Sequence, residues 1–360
     1  MAAGLAGATT TASAQSLKPV TVATGLANPW SLAFLPDGRM LVTERAGRLR
    51  IVGSDGKLGE PINGLPRIDA GGQGGLLDVV LDPRFADNAL VYFSYSEPAP
   101  AGERGNSTAV ARAELRGSEL RNLQVVFRQA PKFSSSNHFG SRLAFAPDGR
   151  LFITLGDRFS RRDDAQTLDT HHGKIVRIEA DGRVPRDNPF VARTGARPEI
   201  WSYGHRNVQG AAIHPRTGDL WAHEHGPQGG DELNIARAGA NHGWPVITYG
   251  REYVTGFRIG DGTQRPDIAA PLTHWVPSIA PSGMAFLTSD RYPGWKGNLF
   301  IGALRGQMLV RLELDGNRVV REHRLLLDLG ERIRDVRQGP DGWLYVVTDS
   351  SNGRVIRLEM

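Results

Sequence analysis

Six segments of the chain repeat one pattern, and that repetition limits the fold more than any other feature. WSLAFLPDGRMLVTERAGRLRIV starts at Trp30, LLDVVLDPRFADNALVYFSYS at Leu76 and SRLAFAPDGRLFITLGD at Ser141. QGAAIHPRTGDLWAHEHG starts at Gln209, SGMAFLTSDRYPGWKGNLFIGALRGQMLVRLEL at Ser282 and IRDVRQGPDGWLYVVTDSSNGRVIRLE at Ile333. Each is a short apolar strand, a turn built on Pro, Asp or Gly, and a second strand. A third often follows, as in RLRIV and RVIRLE, with apolar residues at every second position, the period of a strand. Six units in 360 residues give about sixty residues apiece, longer than a minimal propeller blade of roughly 40–50. The excess belongs in loops, where binding and catalytic groups concentrate.

A lone four-stranded sheet leaves raw edges and half a core; stacking blades around an axis buries both faces. The expectation is therefore an all-β fold: a six-bladed β-propeller of four-stranded antiparallel blades. KPVTVATGL, residues 18–26, precedes the first full unit and is expected to complete the last blade and close the ring. Residues 18–360 then form one catalytic domain behind a signal-like or disordered segment, 1–17. No amphipathic pattern longer than about three helical turns interrupts the strands. GGQGG at 71–75 is not the strand-to-helix fingerprint of a dinucleotide site, so NAD has little support.

Composition removes further classes. Apolar residues make up 40% and charged residues 22%, as in ordinary globular chains. There are no cysteines, which excludes disulfides, thiolate metal sites and cysteine nucleophiles. The net charge of +5 is scattered, without the aromatic–basic interleaving of a nucleic-acid groove, so no nucleic-acid partner is expected. No apolar run is long enough for a membrane-spanning helix. Ala12-Ser13-Ala14 before Gln15 resembles a signal-peptidase site, although no Lys or Arg precedes Lys18. That favours a periplasmic or secreted protein over a disordered start.

Several connecting segments are unusually polar: GGQGGLLD around Gln73, SSNHFGSRL around His138, YGHRNVQG around Arg206 and Asn207, HEHGPQGGDELN from His223 to Asn234, and GERIRDV around Arg332 and Arg334. In a propeller, equivalent positions on successive blades converge at one mouth of the channel. Arg332 and Arg334 are two apart and share a face on an extended segment. They suit bidentate carboxylate binding, or they are a solvated strand face. His138 is either a hydrogen-bonded structural histidine or a base working near neutral pH. GPQGGDE, residues 226–232, offers carbonyl and carboxylate oxygens of the kind calcium takes, or it is a tight acidic turn. His223 and His225 share a strand face, but no third ligand has zinc-site spacing.

The order Gly-Gln-Gly-Gly-Leu-Leu-Asp, Asn-His-Phe-Gly-Ser-Arg-Leu, Leu-Gly-Asp, Gly-Lys-Ile-Val-Arg-Ile with Asp187-Asn188-Pro189-Phe190, Tyr-Gly-His-Arg-Asn, Glu-His-Gly-Pro-Gln-Gly-Gly-Asp-Glu-Leu-Asn and Asn-His-Gly-Trp-Pro resembles the glucose/sorbosone dehydrogenase family. The resemblance runs from about residue 18 to the C-terminus. It implies a soluble aldose sugar dehydrogenase using pyrroloquinoline quinone (PQQ), and a six-bladed propeller in agreement with the repeat count. It implies that Gln73, His138, Arg206, Asn207, Tyr253, Arg305, Arg332 and Arg334 surround the quinone, with His138 and Arg206 catalytic. A calcium ion would bridge quinone and protein through the Gly226 and Pro227 carbonyls. A second, structural calcium would involve Glu232 and His242. Two positions depart from the family: His242 stands where tyrosine is usual, and Arg305 where lysine is frequent. The implied partners are an aldose substrate and an external electron acceptor, with the protein a monomer or homodimer. The competing readings are a calcium-dependent propeller lactonase or hydrolase, and a non-catalytic binding propeller.

Overall fold

The computed structural model describes residues 16–360. The signal-like stretch lies, except for its last two residues, outside the described residues. The strands form six four-stranded antiparallel sheets. Their first strands are Pro29–Phe34, Leu76–Leu81, Leu143–Phe145, Val208–Ile213, Pro281–Phe286 and Ile333–Gln338, one for each repeat read in the sequence. Each of these packs against the first strand of the blade before and of the blade after, so the contacts run in a closed circle around an axis. Lys18–Leu26 pairs antiparallel with Gly353–Glu359, from Lys18 opposite Glu359 to Leu26 opposite Gly353. As expected, the N-terminal strand supplies the outer edge of the sixth blade and closes the ring.

The second strands explain why the repeats read as apolar runs. Met40–Glu44, Leu299–Ala303 and Leu344–Thr348 are buried at every residue, because each blade is covered on both faces by its neighbours. The core is accordingly divided into clusters between blades. Leu41, Val79 and Phe93 join the first and second blades, and Val42, Val347 and Val355 join the last to the first. Burying one such Leu, Val or Phe contributes roughly 1.5–3 kcal/mol. The Pro-Asp-Gly turns have one construction. Gly38, Gly149 and Gly342 adopt φ of 83°, 85° and 84°. Asp37, Asp148 and Asp341 each accept the backbone N–H two residues on. A side chain at the glycine position would be strained, and the aspartate satisfies a turn N–H that the strands leave unpaired.

Four charged side chains cross the axis. Arg142, 2% exposed, pairs with Asp335 at 2.9 Å and Asp78 at 3.4 Å. Arg337 pairs with the same two carboxylates at 2.8 and 2.9 Å. Arg142 lies over the Trp30 ring, which lines the cavity at one mouth, while Arg337 lines the apolar funnel at the other. The quartet therefore separates the two ends of the channel. Breaking one of its pairs would strand a buried charge at a cost of roughly 3–5 kcal/mol.

Candidate functional site

In an antiparallel four-stranded blade, the turn joining strands two and three and the connection into the next blade lie at the same end. Gln73, His138, Arg206 with Asn207, and Arg332 all occupy blade-to-blade connections, just before the first strands of blades two, three, four and six. Asp157, Glu224, Arg305 and Asp349 occupy or border the two-to-three turns of blades three to six. Topology alone thus gathers these groups at one mouth. The long connection 236–272 of the fourth blade brings in His242, Trp244 and Tyr253.

His138 is the centre of one cluster. Its ring is buried, and Nδ1 lies 2.6 Å from Oδ1 of Asp157. Asp157 is held in turn by the indole N–H of Trp244, donating to Oδ2 at 2.7 Å, and by the Phe159 backbone N–H, donating to Oδ1 at 2.8 Å. A carboxylate on Nδ1 selects the tautomer with its proton there and leaves Nε2 as the acceptor nitrogen. Burial holds the imidazole below its ordinary pKa, and the Arg206 guanidinium adds to the effect while Asp157 opposes it. His138 is therefore neutral at neutral pH. It shares a cavity of about 250 Å³ with Arg206, Pro227, Glu252 and Tyr253. Arg206 reaches the Tyr253 hydroxyl at 3.3 Å and donates to the Gly226 carbonyl at 2.7 Å.

Gln73, Asn207, Arg332 and Arg334 line a second cavity, of about 190 Å³, on the axis. Arg332 and Arg334 converge on the Asp349 carboxylate at 3.1 and 3.2 Å, so two cations face one anion. Arg334 is buried, and that burial pulls its guanidinium down to about 10, with Asp349 opposing. Its buried Nε has no hydrogen-bond partner. This donor-rich well with surplus positive charge fits a small polycarboxylate such as pyrroloquinoline quinone. Arg305 stands apart: it is exposed on its turn and does not line the well.

The third cluster is small and buried. Glu224, Gly226, Glu232 and His242 line a cavity of about 10 Å³, room for one water or one ion. Burial and the neighbouring Glu224 charge push the Glu232 carboxyl up to about 8. Both ring nitrogens of His242 are buried without a partner, and the ring stacks on His205 at 4.5 Å. Among the described residues no three His, Cys, Asp or Glu side chains assemble as a metal cluster, so a cation here must draw on carbonyl oxygens as well. That donor set suits a hard ion such as calcium. Gly226, although engaged by Arg206, retains a second lone pair on its carbonyl oxygen.

Asp157, Trp244, Glu224 and Asp349 received no role from the sequence. A usable sign was present. In four repeats an acid sits at or just beyond the end of the second strand: Glu44, Asp157, Glu224 and Asp349. Each takes a cation or imidazole: Arg48, His138, His205 and the Arg332–Arg334 pair, respectively.

Fold and site together define a class, the six-bladed propeller with an anion-accepting well beside a carboxylate-held histidine. Within that class the chain belongs to the glucose/sorbosone dehydrogenase family, whose sequence model matches residues 26–357. Aldose sugar dehydrogenase YliI of Escherichia coli (strain K12) is 47% identical over 338 residues, covering 92% of this chain and 90% of that protein. The crystal structure of the soluble aldose sugar dehydrogenase (Asd) from Escherichia coli in the apo-form superposes with a TM-score of 0.92 at 45% identity, covering 96% of this chain and 99% of that one. The PQQ-bound form of aldose sugar dehydrogenase (Adh) from Streptomyces coelicolor superposes with a TM-score of 0.78 at 30% identity, covering 96% and 98%. Among the described residues no helix is long and apolar enough to cross a membrane.

Proposed function

We propose that the chain is a PQQ- and calcium-dependent aldose sugar dehydrogenase that oxidises the anomeric C1 hydroxyl to an aldonolactone. The carrying observation is the His138–Asp157 pair at 2.6 Å, facing a cavity shared with Arg206 and close to an arginine-lined well. Arg332, Arg334, Gln73 and Asn207 would hold the quinone in that well, where it would serve as the hydride acceptor. His138 Nε2 takes the proton of the sugar hydroxyl, and Asp157 stabilises the imidazolium so formed. Arg206, held near Tyr253 and Trp244, places positive charge where oxyanion character develops. Tyr253, half exposed at the cavity rim, would face a ligand bound there. Gly226 and Pro227 would offer carbonyls to one calcium, and Glu232 with His242 would border a second. Arg305 adds charge at the mouth. An external acceptor removes the electrons, and the signal-like N-terminus supports export to the periplasm or medium.

The test is reconstitution of metal-stripped protein with quinone and calcium, followed by dye reduction across a panel of aldoses. Turnover that needs both additions is expected. Absence of turnover with every aldose at saturating quinone overturns the reading, as does lactone hydrolysis that proceeds without quinone.

A further inference from the structure

His138 has a φ of 52°, and the two residues after Asp157, Arg158 and Phe159, have φ of 58° and 69°. Residues other than glycine avoid this left-handed region because Cβ crowds the carbonyl oxygen. Such backbone persists only where its surroundings over-determine it. The segment 135–138 is gripped from two sides. On one side, Gln73 N–H donates to the Ser136 carbonyl at 2.8 Å, and Gln73 Oε1 accepts the His138 N–H at 2.9 Å. On the other, Arg158 Nη1 donates to the Asn137 carbonyl at 2.7 Å, and Nη2 to the Ser135 carbonyl at 2.6 Å. Carbonyls thus alternate between the two grips.

The guanidinium is itself fixed. Nη2 also donates to the Asn106 side-chain oxygen, and Asn106 donates to Asp69 at 2.8 Å. The guanidinium carbon lies 3.6 Å from the centroid of the Phe139 ring, and the whole side chain is buried. Burial pulls Arg158 down to about 9, with Asp157 and Asp69 opposing, so it remains a cation at neutral pH. Adjacent residues therefore hold two parts of one histidine. Asp157 fixes the imidazole of His138, and Arg158 fixes the main chain that carries it.

We propose that Arg158 is a positioning residue for the reaction, its guanidinium fork fixing residues 135–137 so that His138 meets both Asp157 and the cavity. The proposal rests on the dehydrogenase reading of the site. A planar fork suits this task better than an ammonium, which can donate to two carbonyls but lacks the fixed fork geometry and the stacking plane.

Two variants test it in the full-length protein. Arg158→Met keeps the bulk over Phe139, and Arg158→Lys keeps the charge. In the reconstituted enzyme, kcat of Arg158→Met should fall about 10²-fold, the scale of a misplacement near 1 Å. Sugar KM and the quinone needed for saturation should stay within about twofold, since the groups that bind remain in place. Arg158→Lys should recover part of the loss. In cofactor-free protein, the His138 amide should exchange with solvent faster in both variants, because its hydrogen bond to Gln73 depends on the same segment. If Arg158→Met fails to fold, Arg158→Lys carries the same comparison against wild type. Unchanged kcat in the variants, or unchanged protection of the His138 amide, overturns the proposal. A wild-type protein that oxidises no aldose overturns the dehydrogenase reading instead, and the exchange measurement still decides what Arg158 does.

Discussion

Two regions of the same mouth are built on opposite terms. Around His138 every partner is supplied by the chain: Asp157 takes the imidazole, Trp244 and Phe159 take Asp157, and Gln73 takes the backbone. Around Glu232 the chain leaves matters open. A carboxyl is pushed up to about 8 beside a second acid, and an imidazole has no partner for either nitrogen. The first arrangement is complete before any ligand arrives. The second is stable only at the expense of its own charges, and a cation would relieve it. His138 is thus fixed by the protein alone, while the neighbouring cluster has room for an ion that would relieve it.

The sharpest way to break this contrast is His138→Ala. Turnover should fall roughly 10²–10⁴-fold while quinone binding, followed by its absorbance, persists. Near-wild-type turnover would mean that the complete region is only structural. Next, Asp157→Asn keeps the shape and removes the charge that favours imidazolium, and kcat should drop by about 10²-fold with sugar KM little changed. The pH profile probes the same pair. In the proposed role His138 acts as base when neutral, and burial lowers its pKa, so the acid limb of kcat/KM should lie below the ordinary 6.5. Below that point the rate should fall about tenfold per pH unit. A limb above 6.5 would contradict the buried environment.

The waiting region should respond in stability. At a calcium concentration about a hundredfold above Kd, binding adds roughly 2.7 kcal/mol, or about 3–4 °C in Tm for a chain this size. Glu232→Gln removes the buried acid, so thermal melts should show a smaller calcium response without loss of the calcium-free fold. An undiminished response places the ion elsewhere. The smallest effect belongs to Arg305→Ala. Being exposed and outside the well, Arg305 should alter the quinone half-saturation by only about twofold.

The ring was legible because the repeats mark strand positions with one chemistry: an apolar first strand, a turn that in five of the six carries a left-handed glycine, and a second strand covered on both faces. The site was legible where residues sit in blade connections, since topology sends those to one mouth; Gln73, His138, Arg206, Asn207 and Arg332 are of this kind. Trp244 was not legible, because it arrives through a connection without strand or helix periodicity. Asp157 was visible only as the third letter of Leu-Gly-Asp, and nothing local says that its carboxylate faces a histidine nineteen positions earlier. Arg158 was hidden for the same reason: its acceptors are backbone carbonyls, which carry no sequence signature.

The Arg142–Asp78–Asp335–Arg337 quartet makes the ring a cup instead of a tube. Whatever reaches the arginine-lined well from its mouth would have to leave by the same mouth. Traffic is then ordered. If the quinone occupies that well with the sugar above it, the quinone has to arrive first, and cofactor washout should slow while substrate is present.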